Sequence, residues 1–389
     1  MEPHSHSVEL SDIFRQFSGE FHTQYTLCSD QRKAYLAIMN CRTPAMGIHL
    51  ATCNSCGYQQ ICYNSCRNRH CPKCQYLKQQ IWIDQLKSRL LPTRYFHAVF
   101  TVPVFLNGLF YLNQKHCYDL LFKASAQAVA KTTANPAFLG AQSGHLSILH
   151  TWGQNLDYHP HLHLLIPAGG LDPDGLEWVN APKKFFVPVS ALAGIYRGIF
   201  MKLLHQSLKS GLLKIPEKDQ VLYSNSQVLK AKAYEHNWHV HINKTFKGSG
   251  QVVTYLGRYT HRVAISNNRL LALENDQVTF RWKDYRDYQW KIMKLDAICF
   301  IRRFLLHILP GGFYKIRYYG IFAAIHTQTK MAQCFALLNK VQTSPAFRGL
   351  SMAAVLQIVT GRDVCKCPKC GKGIMIPCYD PIPVISAPT

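Results

Sequence analysis

Residues 158–167 read Tyr-His-Pro-His-Leu-His-Leu-Leu-Ile-Pro and predict a half-buried β-strand in the middle of the chain. Polar and apolar residues alternate along it, which is typical of a strand with one face in the core. The alternation places His161 and His163 on one face and an aliphatic row on the other. Two imidazoles about 7 Å apart along a strand can bind one divalent ion and leave coordination positions for a substrate oxygen.

The sequence leaves a third ligand for this ion open. His159 has the parity to join the pair, but Pro160 cannot donate to a sheet, so the alternation can fail there. The segment His239-Val-His241 repeats the histidine pattern on another predicted strand. These two histidines either supply a ligand from a neighbouring strand or lie exposed. The bland interpretation, in which the histidines are ordinary core or surface residues, stays open for each of them.

The rest of the chain predicts a mixture of helices and strands. A strand is expected from Tyr95, where aromatic and β-branched residues are dense, and Pro92 is expected to end the helix before it. Helices are predicted at Gln75–Leu91, Leu109–Lys131 and Ser190–Lys209. This mixture indicates an α+β protein. We divide it into a cysteine-rich first domain (1–92), a central domain (93–330) and a C-terminal tail (331–389).

The charge of the chain indicates a polyanionic partner. Forty-four Lys and Arg against 21 Asp and Glu give a net charge of +23, and such a surface attracts phosphate backbones. A membrane surface is the rival partner, but the sequence contains no basic amphipathic helix and no apolar run near 18 residues. The N-terminus lacks the layout of a signal peptide. We therefore expect a cytoplasmic protein that does not bind membranes.

Two C-x2-C pairs predict a structural zinc site in the first domain. Cys53 and Cys56 form one pair, Cys71 and Cys74 the other, and 14 residues separate them. Each pair can direct two thiolates at one Zn²⁺, and four protein ligands leave no open coordination position. Other potential ligands lie between the pairs, so the ligand set can be permuted or a second ion bound: Cys62, Cys66 and His70.

A second group of cysteines lies near the C-terminus. Its members are Cys365, Cys367, Cys370 and Cys378. The pair at 367 and 370 is another C-x2-C knuckle, but the spacing of the others is irregular. A metal site and ordinary free thiols are equally good interpretations here.

The stretch from Gln251 to Ile265 carries the second candidate for chemistry. If it is helical, Tyr255, Arg258, Tyr259 and Arg262 share an arc of about 100°, beside an apolar arc of similar width. A phenol has a reference pKa of about 10 and needs a nearby cation to act as a nucleophile. Guanidinium groups one turn away can grip a phosphate. The alternative is that both tyrosines lie beside a core with their hydroxyls in water.

These motifs together resemble a known family. The His161-Leu-His163 pattern resembles the histidine signature of HUH nucleases. The segment from Tyr255 to Asn267 resembles the paired-tyrosine motif of two-tyrosine transposases of the insertion sequence ninety-one type, which act by rolling-circle transposition. Residues 64–74 and 304–320 resemble that family's zinc-binding region and its downstream block. The matches occur in the family's order and span residues 10 to 375.

The resemblance implies a fold and a mechanism. The fold is a central antiparallel sheet with packed helices, preceded by a small zinc-binding DNA-recognition domain. His161, His163 and a third ligand hold Mg²⁺ or Mn²⁺ against the scissile phosphate. Tyr255 or Tyr259 attacks, forming a 5′-phosphotyrosine, and the other tyrosine serves the second DNA end. The partners are single-stranded DNA at the transposon ends and target DNA, in a bacterial, nucleoid-associated protein.

Two other functions use part of the same features. A replication initiator or relaxase has the same chemistry, although the zinc region and the block around residues 304–320 favour the transposase. A zinc-dependent DNA-binding protein without catalysis explains the cysteines and the charge but not the tyrosines and arginines on one arc. Residues 281–319 contain nine Lys and Arg against three Asp, interleaved with aromatic residues. That composition suits single-stranded nucleic acid, and an ordinary solvated basic face fits it as well.

Overall fold

A computed structural model of the protein describes residues 8–182, 187–236, 238–246, 251–252, 257, 264–284 and 286–378. Its helices are α1 (Leu10–Gln16), α2 (Ser18–Gln24), α3 (Ser29–Met39), α4 (Gln75–Lys87), α5 (Asn107–Leu112), α6 (Gln114–Ala134), α7 (Val189–Lys209), α8 (Gln220–Ser224), α9 (Ser226–Glu235), α10 (Ala297–Leu305), α11 (Lys330–Leu337) and α12 (Met352–Thr360). Its strands are β1 (Ile48–Cys53), β2 (Gln59–Tyr63), β3 (Tyr95–Thr101), β4 (Gly144–Trp152), β5 (Tyr158–Pro167), β6 (Gly169–Leu171), β7 (Trp178–Asn180), β8 (Val240–Phe246), β9 (Leu270–Glu274), β10 (Gln277–Lys283), β11 (Trp290–Asp296), β12 (Ile316–Gly320) and β13 (Met375–Cys378).

The chain divides into two compact units, each made of segments that are distant in sequence. The first unit contains residues 1–84, 261–308 and 345–389, and the second contains residues 85–260 and 309–344. These units differ from the three consecutive segments that the sequence predicts, because the C-terminal residues join the N-terminal ones in a single unit. The division into three functional domains itself stays a prediction.

The second unit is built on a five-stranded antiparallel sheet with the order β12-β4-β5-β3-β8. The β5 strand lies in the middle of this sheet, between β3 and β4. Its register shifts against β4 between His150 and Trp152, beside the segment that contains Pro160. A bulge tolerates a proline because a ladder hydrogen bond is already interrupted there. The strand therefore includes Pro160 and begins at Tyr158.

One face of this sheet is covered by helices. Leu162 and Leu164 of β5 are fully buried in a core that also contains residues of α6 and α7. Phe100 of β3 packs edge-to-face on Tyr196 of α7, with ring centroids 5.0 Å apart. The Tyr196 hydroxyl donates to the carbonyl oxygen of Thr101, which satisfies its polar group within the core. The apolar row of β5 thus faces the helices, and its histidines face the other way.

The first unit has its own aromatic core and two small sheets. Phe14 of α1 stacks on Tyr35 of α3 with ring centroids 4.6 Å apart, and it also packs against Phe304 of α10. One sheet has the order β13-β1-β2, and the other has the order β11-β10-β9. Strand β13 pairs antiparallel with β1, so residues from the two ends of the chain share one sheet.

Several sequence predictions are confirmed. The protein is an α+β protein with a central antiparallel sheet, and the predicted strand at 158–167 is β5. The helix predicted at Leu109–Lys131 is present as two helices, because the chain leaves helical geometry at Asn113. There the Asn113 side chain bonds to the backbone of Leu109 and Lys214. In the described part of the chain no helix is both long and apolar enough to cross a membrane.

Candidate metal centre

Three histidines meet on the face of the central sheet that is opposite the helices. His161 and His163 lie on β5, and His150 lies opposite His161 on β4. One ring nitrogen from each lies within 4.8 Å of the others. His150 and His163 are buried, whereas His161 is half-buried and remains in contact with solvent. We call these three residues the histidine cluster.

The spacing within the histidine cluster fits a divalent cation. The Nε2 atoms of His161 and His163 are 3.1 Å apart. In octahedral coordination with bonds of about 2.1 Å, neighbouring ligand atoms lie about 3.0 Å apart. Three imidazoles would fill only half of such a coordination sphere, which leaves positions for oxygens of water or substrate. The cluster therefore has the donor set of an open site rather than a closed structural one.

Hydrogen bonds outside the cluster fix which ring nitrogens face the candidate ion. The Nδ1 atom of His161 lies 2.7 Å from the carbonyl oxygen of His159. A carbonyl oxygen only accepts, so Nδ1 carries the proton and Nε2 keeps its lone pair. The Nδ1 atom of His163 lies 2.8 Å from Nε2 of His97 on β3. If His163 uses Nε2 as a ligand, its Nδ1 donates to His97, which then acts as a positioning residue.

Burial keeps these rings neutral. Desolvation lowers the pKa of His161 to about 4 and that of His97 to about 4. Desolvation, followed by the neighbouring His150, lowers the pKa of His163 well below its ordinary value. Neutral imidazole is the form that binds a metal ion. Burial therefore favours the ligand form of His161 and His163 at pH 7.

Among the described residues, His150 is the third histidine that lies with His161 and His163, and His159 contributes its backbone carbonyl to His161. The identity of the third metal ligand stays a prediction. His241 lies opposite Val99 on the outer strand β8, and Val99 lies opposite His163. His241 therefore shares the face of the cluster two strands away from β5, and His239 lies just before that strand.

Sequence reasoning missed His97 and His150. Each lies on a strand, and the alternation of side chains along that strand is the feature that could have placed it on the face of the histidine cluster. His97 lies opposite Leu165, two residues beyond His163 on the same face of β5, and His150 lies opposite His161. Parity becomes informative only when the register between strands is known, because a shift of one residue moves a side chain to the other face.

The four candidate residues of the paired-tyrosine segment lie outside the described residues: Tyr255, Arg258, Tyr259 and Arg262. The neighbouring residues Gln251, Val252 and Gly257 are helical, which agrees with the helix that the sequence predicts there. The assignment of the tyrosines as nucleophiles and of the arginines as phosphate ligands stays a prediction.

The cysteines of the predicted zinc site are divided between two clusters. Cys71 and Cys74 lie with Cys41 and Cys66, which we call the first cysteine cluster. The Sγ atom of Cys74 lies 3.5 Å from that of Cys41 and 3.6 Å from that of Cys66. Of the three potential ligands between the two C-x2-C pairs, Cys66 thus lies in the first cysteine cluster. Cys41 was missed, because a single cysteine 25 residues before Cys66 has no knuckle spacing.

Cys53 and Cys56 lie instead with Cys367 and Cys370, in the second cysteine cluster. The prediction that Cys53, Cys56, Cys71 and Cys74 form one set is therefore wrong. The reason is the pairing of β13 with β1, which carries the C-terminal knuckle to the N-terminal one. The Sγ atoms of Cys53 and Cys370 are 3.8 Å apart, as are those of Cys56 and Cys367.

Both cysteine clusters fit a tetrahedral ion. Zinc–sulfur bonds of about 2.3 Å place tetrahedral ligand atoms about 3.8 Å apart. In the second cluster the two knuckles have the same backbone design, because the amides of Gly57 and Gly371 donate to the carbonyls of Cys53 and Cys367. Backbone amides, first that of Gly373, lower the pKa of Cys370 to about 6. This lowering favours the thiolate of Cys370, which is the form that binds metal.

The remaining candidates of the cysteine-rich regions lie outside both clusters of the described chain: Cys62, Cys365, Cys378 and His70. The His70 ring lies 3.2 Å from the side-chain oxygen of Asn68, and Cys378 lies beside the Thr52 hydroxyl. None of the fifteen cysteines forms a disulfide.

Two family models match the chain. A family model described as "Transposase zinc-binding domain" matches residues 13–102, and one described as "Putative transposase" matches residues 144–330. The first match contains the first cysteine cluster and ends long before Cys367 and Cys370. The second contains the whole histidine cluster and the paired-tyrosine segment.

Two curated proteins are similar along most of their length. "Putative transposase y4qJ" from Sinorhizobium fredii (strain NBRC 101917 / NGR234) is 42% identical over 375 residues, which are 95% of this chain and 94% of that protein. "Transposase for insertion sequence element IS801" from Pseudomonas savastanoi pv. phaseolicola is 29% identical over 338 residues, or 86% of this chain and 80% of that protein. No solved structure matches the chain. The chain therefore belongs to the two-tyrosine transposase family of the insertion sequence ninety-one type, with an N-terminal transposase zinc-binding domain.

Proposed function

We propose that this transposase cleaves and rejoins single-stranded DNA by rolling-circle transposition, through a 5′-phosphotyrosine intermediate at a divalent metal ion. The observation that carries the proposal is the histidine cluster, whose imidazoles converge from two central strands, with the tautomer of His161 set by the His159 carbonyl and His163 hydrogen-bonded to His97. An arrangement with open coordination positions suits a phosphate oxygen as a further ligand. A purely structural histidine cluster has no need of open positions beside a ring that remains in contact with solvent, as His161 does.

His150, His161 and His163 would hold the ion. Mg²⁺ prefers oxygen ligands, so three imidazoles favour Mn²⁺, and cellular abundance can still select Mg²⁺. When bound, the ion supplies Lewis-acid polarisation of the scissile phosphate. The residues of the chain then have two tasks: His97 and the His159 carbonyl hold the ligand rings, and a tyrosine supplies the nucleophile.

Tyr255 or Tyr259 would perform the attack. The phenol loses its proton, its oxygen bonds to phosphorus, and the bond from phosphorus to the 3′ oxygen breaks. The departing 3′ oxygen takes up a proton, so the products are a 5′-phosphotyrosine and a free 3′-hydroxyl. Because a phosphodiester bond is exchanged for another, rejoining requires no ATP. Arg258 and Arg262 would bind the non-bridging oxygens of the phosphate.

Each of the two cysteine clusters would hold one structural Zn²⁺. Four thiolates close the coordination sphere, so neither ion would take part in the reaction. A four-cysteine site without a metal would place four polar thiols together with no gain in free energy, and zinc binding stabilises such small folds directly. The zinc ions would thus shape the first unit for DNA recognition.

The proposal is tested by trapping the intermediate. Labelled single-stranded oligonucleotides from the ends of the element are incubated with the protein and Mn²⁺, and denaturing gels are run. We expect a protein–DNA adduct that resists denaturant. It should disappear in the Tyr255→Phe/Tyr259→Phe double variant and persist in Tyr63→Phe, an exposed tyrosine on β2. An adduct that persists in the double variant, or no adduct in any of them, contradicts the proposal.

A further inference from the structure

The β9–β11 sheet has one face in the core and one in solvent. Val278 and Phe280 of β10 are fully buried, and the Phe280 ring lies 5.7 Å from that of Phe300 on α10. Since side chains alternate along a strand, Arg281 and Lys283 lie on the face opposite Phe280. Arg281 is exposed there. The hairpin of β10 and β11 therefore has an outer face that nothing in the described chain covers completely.

The outer face carries large apolar side chains. Trp290 lies opposite Lys283, and Ile292 lies opposite Arg281. Trp290 is 58% exposed and Ile292 is 66% exposed. The Arg281 guanidinium carbon lies 5.4 Å from the centre of the Trp290 ring, within cation–π distance. The solvent face of an antiparallel sheet is ordinarily polar, so a grouped tryptophan and isoleucine indicate a binding surface.

The charge of this surface selects an anionic partner. Strands β10 and β11 contain four basic residues and one acidic residue. Three of the basic residues lie on the outer face: Arg281, Lys283 and Lys294, which lies opposite Thr279. Among the residues that the structure describes, none of these three forms an ion pair.

The acidic residues in the turn are neutralised, whereas Asp296 and Glu274, both opposite Gln277, lie at the other end of the outer face. In the turn between the strands, Asp284 forms ion pairs with Arg286 and Lys291, and Lys291 also binds Asp287. Hydrogen bonds from Arg286 and then Lys291 hold the pKa of the buried Asp284 far below its ordinary value. The turn also presents Tyr288, which is 70% exposed and lies 5.7 Å from the Lys283 ammonium.

We propose that the outer face of β10 and β11 binds single-stranded DNA. Bases stack on Trp290 and Tyr288, and the phosphates are bound by Arg281, Lys283 and Lys294. Aromatic rings between cations suit unpaired strands, whose bases are free to stack on protein, whereas duplex bases are covered by their neighbours. The proposal rests on the proposed function for its substrate and adds a second place on the chain where that substrate is held.

The stacking is tested by binding measurements with the full-length Tyr255→Phe/Tyr259→Phe variant, in which cleavage cannot contribute. Affinity for a fluorescein-labelled oligothymidylate is measured by anisotropy. Trp290→Ala should weaken it by roughly 5- to 150-fold, the loss of one stacked base. Trp290→Phe should keep most of the affinity, and the matched control Tyr76→Ala, an exposed aromatic residue on α4, should keep all of it. Affinity for duplex DNA should change far less.

The phosphate contacts are tested by the salt dependence of the same binding. The triple variant Arg281→Ala/Lys283→Ala/Lys294→Ala should reduce the slope of log K against log salt by about 2, since each phosphate contact on a single strand contributes about 0.7. The control is Lys232→Ala on α9, whose charge is paired with Glu235, and its slope should stay as in the parent protein.

Three outcomes would overturn the proposal. They are an unchanged oligothymidylate affinity in Trp290→Ala, an equal loss for duplex DNA, and a dimer of the parent protein that Trp290→Ala converts to monomer, which would make the face a contact between two copies. The adduct assay keeps the two proposals apart. If the adduct forms normally but binding does not depend on Trp290, only the proposal of a stacking surface is contradicted. If binding depends on Trp290 but no adduct forms, only the proposal of tyrosine chemistry is contradicted.

Discussion

The Nδ1 atom of His163 lies 2.8 Å from the Nε2 atom of His97 on the adjacent strand, and the two rings are parallel within 8°. Both rings are buried and neutral, so this contact is a hydrogen bond in which one nitrogen donates and the other accepts. It turns the other nitrogen of His163 toward His161. The contact therefore orients one residue of the histidine cluster, although His97 itself is not one of the three residues of that cluster.

Replacing His97 should weaken metal binding without removing a ligand. His97→Phe leaves the Nδ1 proton of His163 without an acceptor, and loss of such an outer partner costs about 10- to 100-fold in metal affinity. Mn²⁺ affinity is measured by titration calorimetry. His97→Gln, which keeps an acceptor oxygen, should recover part of the loss. His205→Ala, an exposed histidine on α7, is the control, and equal affinities in all variants would show that His97 has no positioning role.

His150 and His159 should respond in opposite ways to substitution. His150→Ala removes a ring nitrogen from the cluster, so Mn²⁺ affinity should fall by at least the roughly 10- to 100-fold that an outer partner costs, and adduct formation should be lost. His159→Ala retains the backbone carbonyl that accepts from His161. Mn²⁺ affinity and adduct formation should therefore stay near the values of the parent protein. The reverse pattern, in which His159→Ala is the damaging change, would make His159 the third ligand.

The protein should contain two zinc ions per chain. Plasma emission spectrometry of protein purified without chelators should give two equivalents. Cys367→Ser/Cys370→Ser should remove one of them, and Cys66→Ser should remove the other, because the cysteines belong to separate clusters. Cys299→Ser, a half-buried cysteine outside both clusters, is the matched control. A single equivalent that is lost on substitution in either cluster would show that the clusters do not bind separate ions.

A methyl group at residue 373 should disturb the second cysteine cluster without replacing any of its cysteines. A Cβ on Gly373 would clash with the Sγ atom of Cys53, because the two atoms cannot approach so closely. Gly373→Ala should therefore release one zinc ion to a chromogenic chelator faster than the parent protein does. Gly19→Ala, where a Cβ meets nothing within 4 Å, is the control. Equal release rates in the variant and the parent protein would show that the C-terminal knuckle does not lie against Cys53 in solution.

The sequence by itself determined the elements and the kind of chemistry. The alternation of β5 follows from the two-residue period of a strand, so the separation of its histidines from its leucines required no knowledge of neighbours. The spacing of each C-x2-C pair is likewise local, because one tight turn brings both thiols to one side. The order of motifs along the chain was enough to indicate the family that the relatives confirm.

Only the tertiary structure decided which of these local features meet. Strand register brought His97 and His150 to His163 and made His150 rather than His159 the third residue of the cluster. The pairing of β13 with β1 divided the four predicted zinc ligands between two clusters and completed one of them with cysteines more than 300 residues away. The physical reason is that a period or a knuckle fixes the direction of side chains within one segment, whereas the partner across a sheet is chosen by the packing of the whole chain.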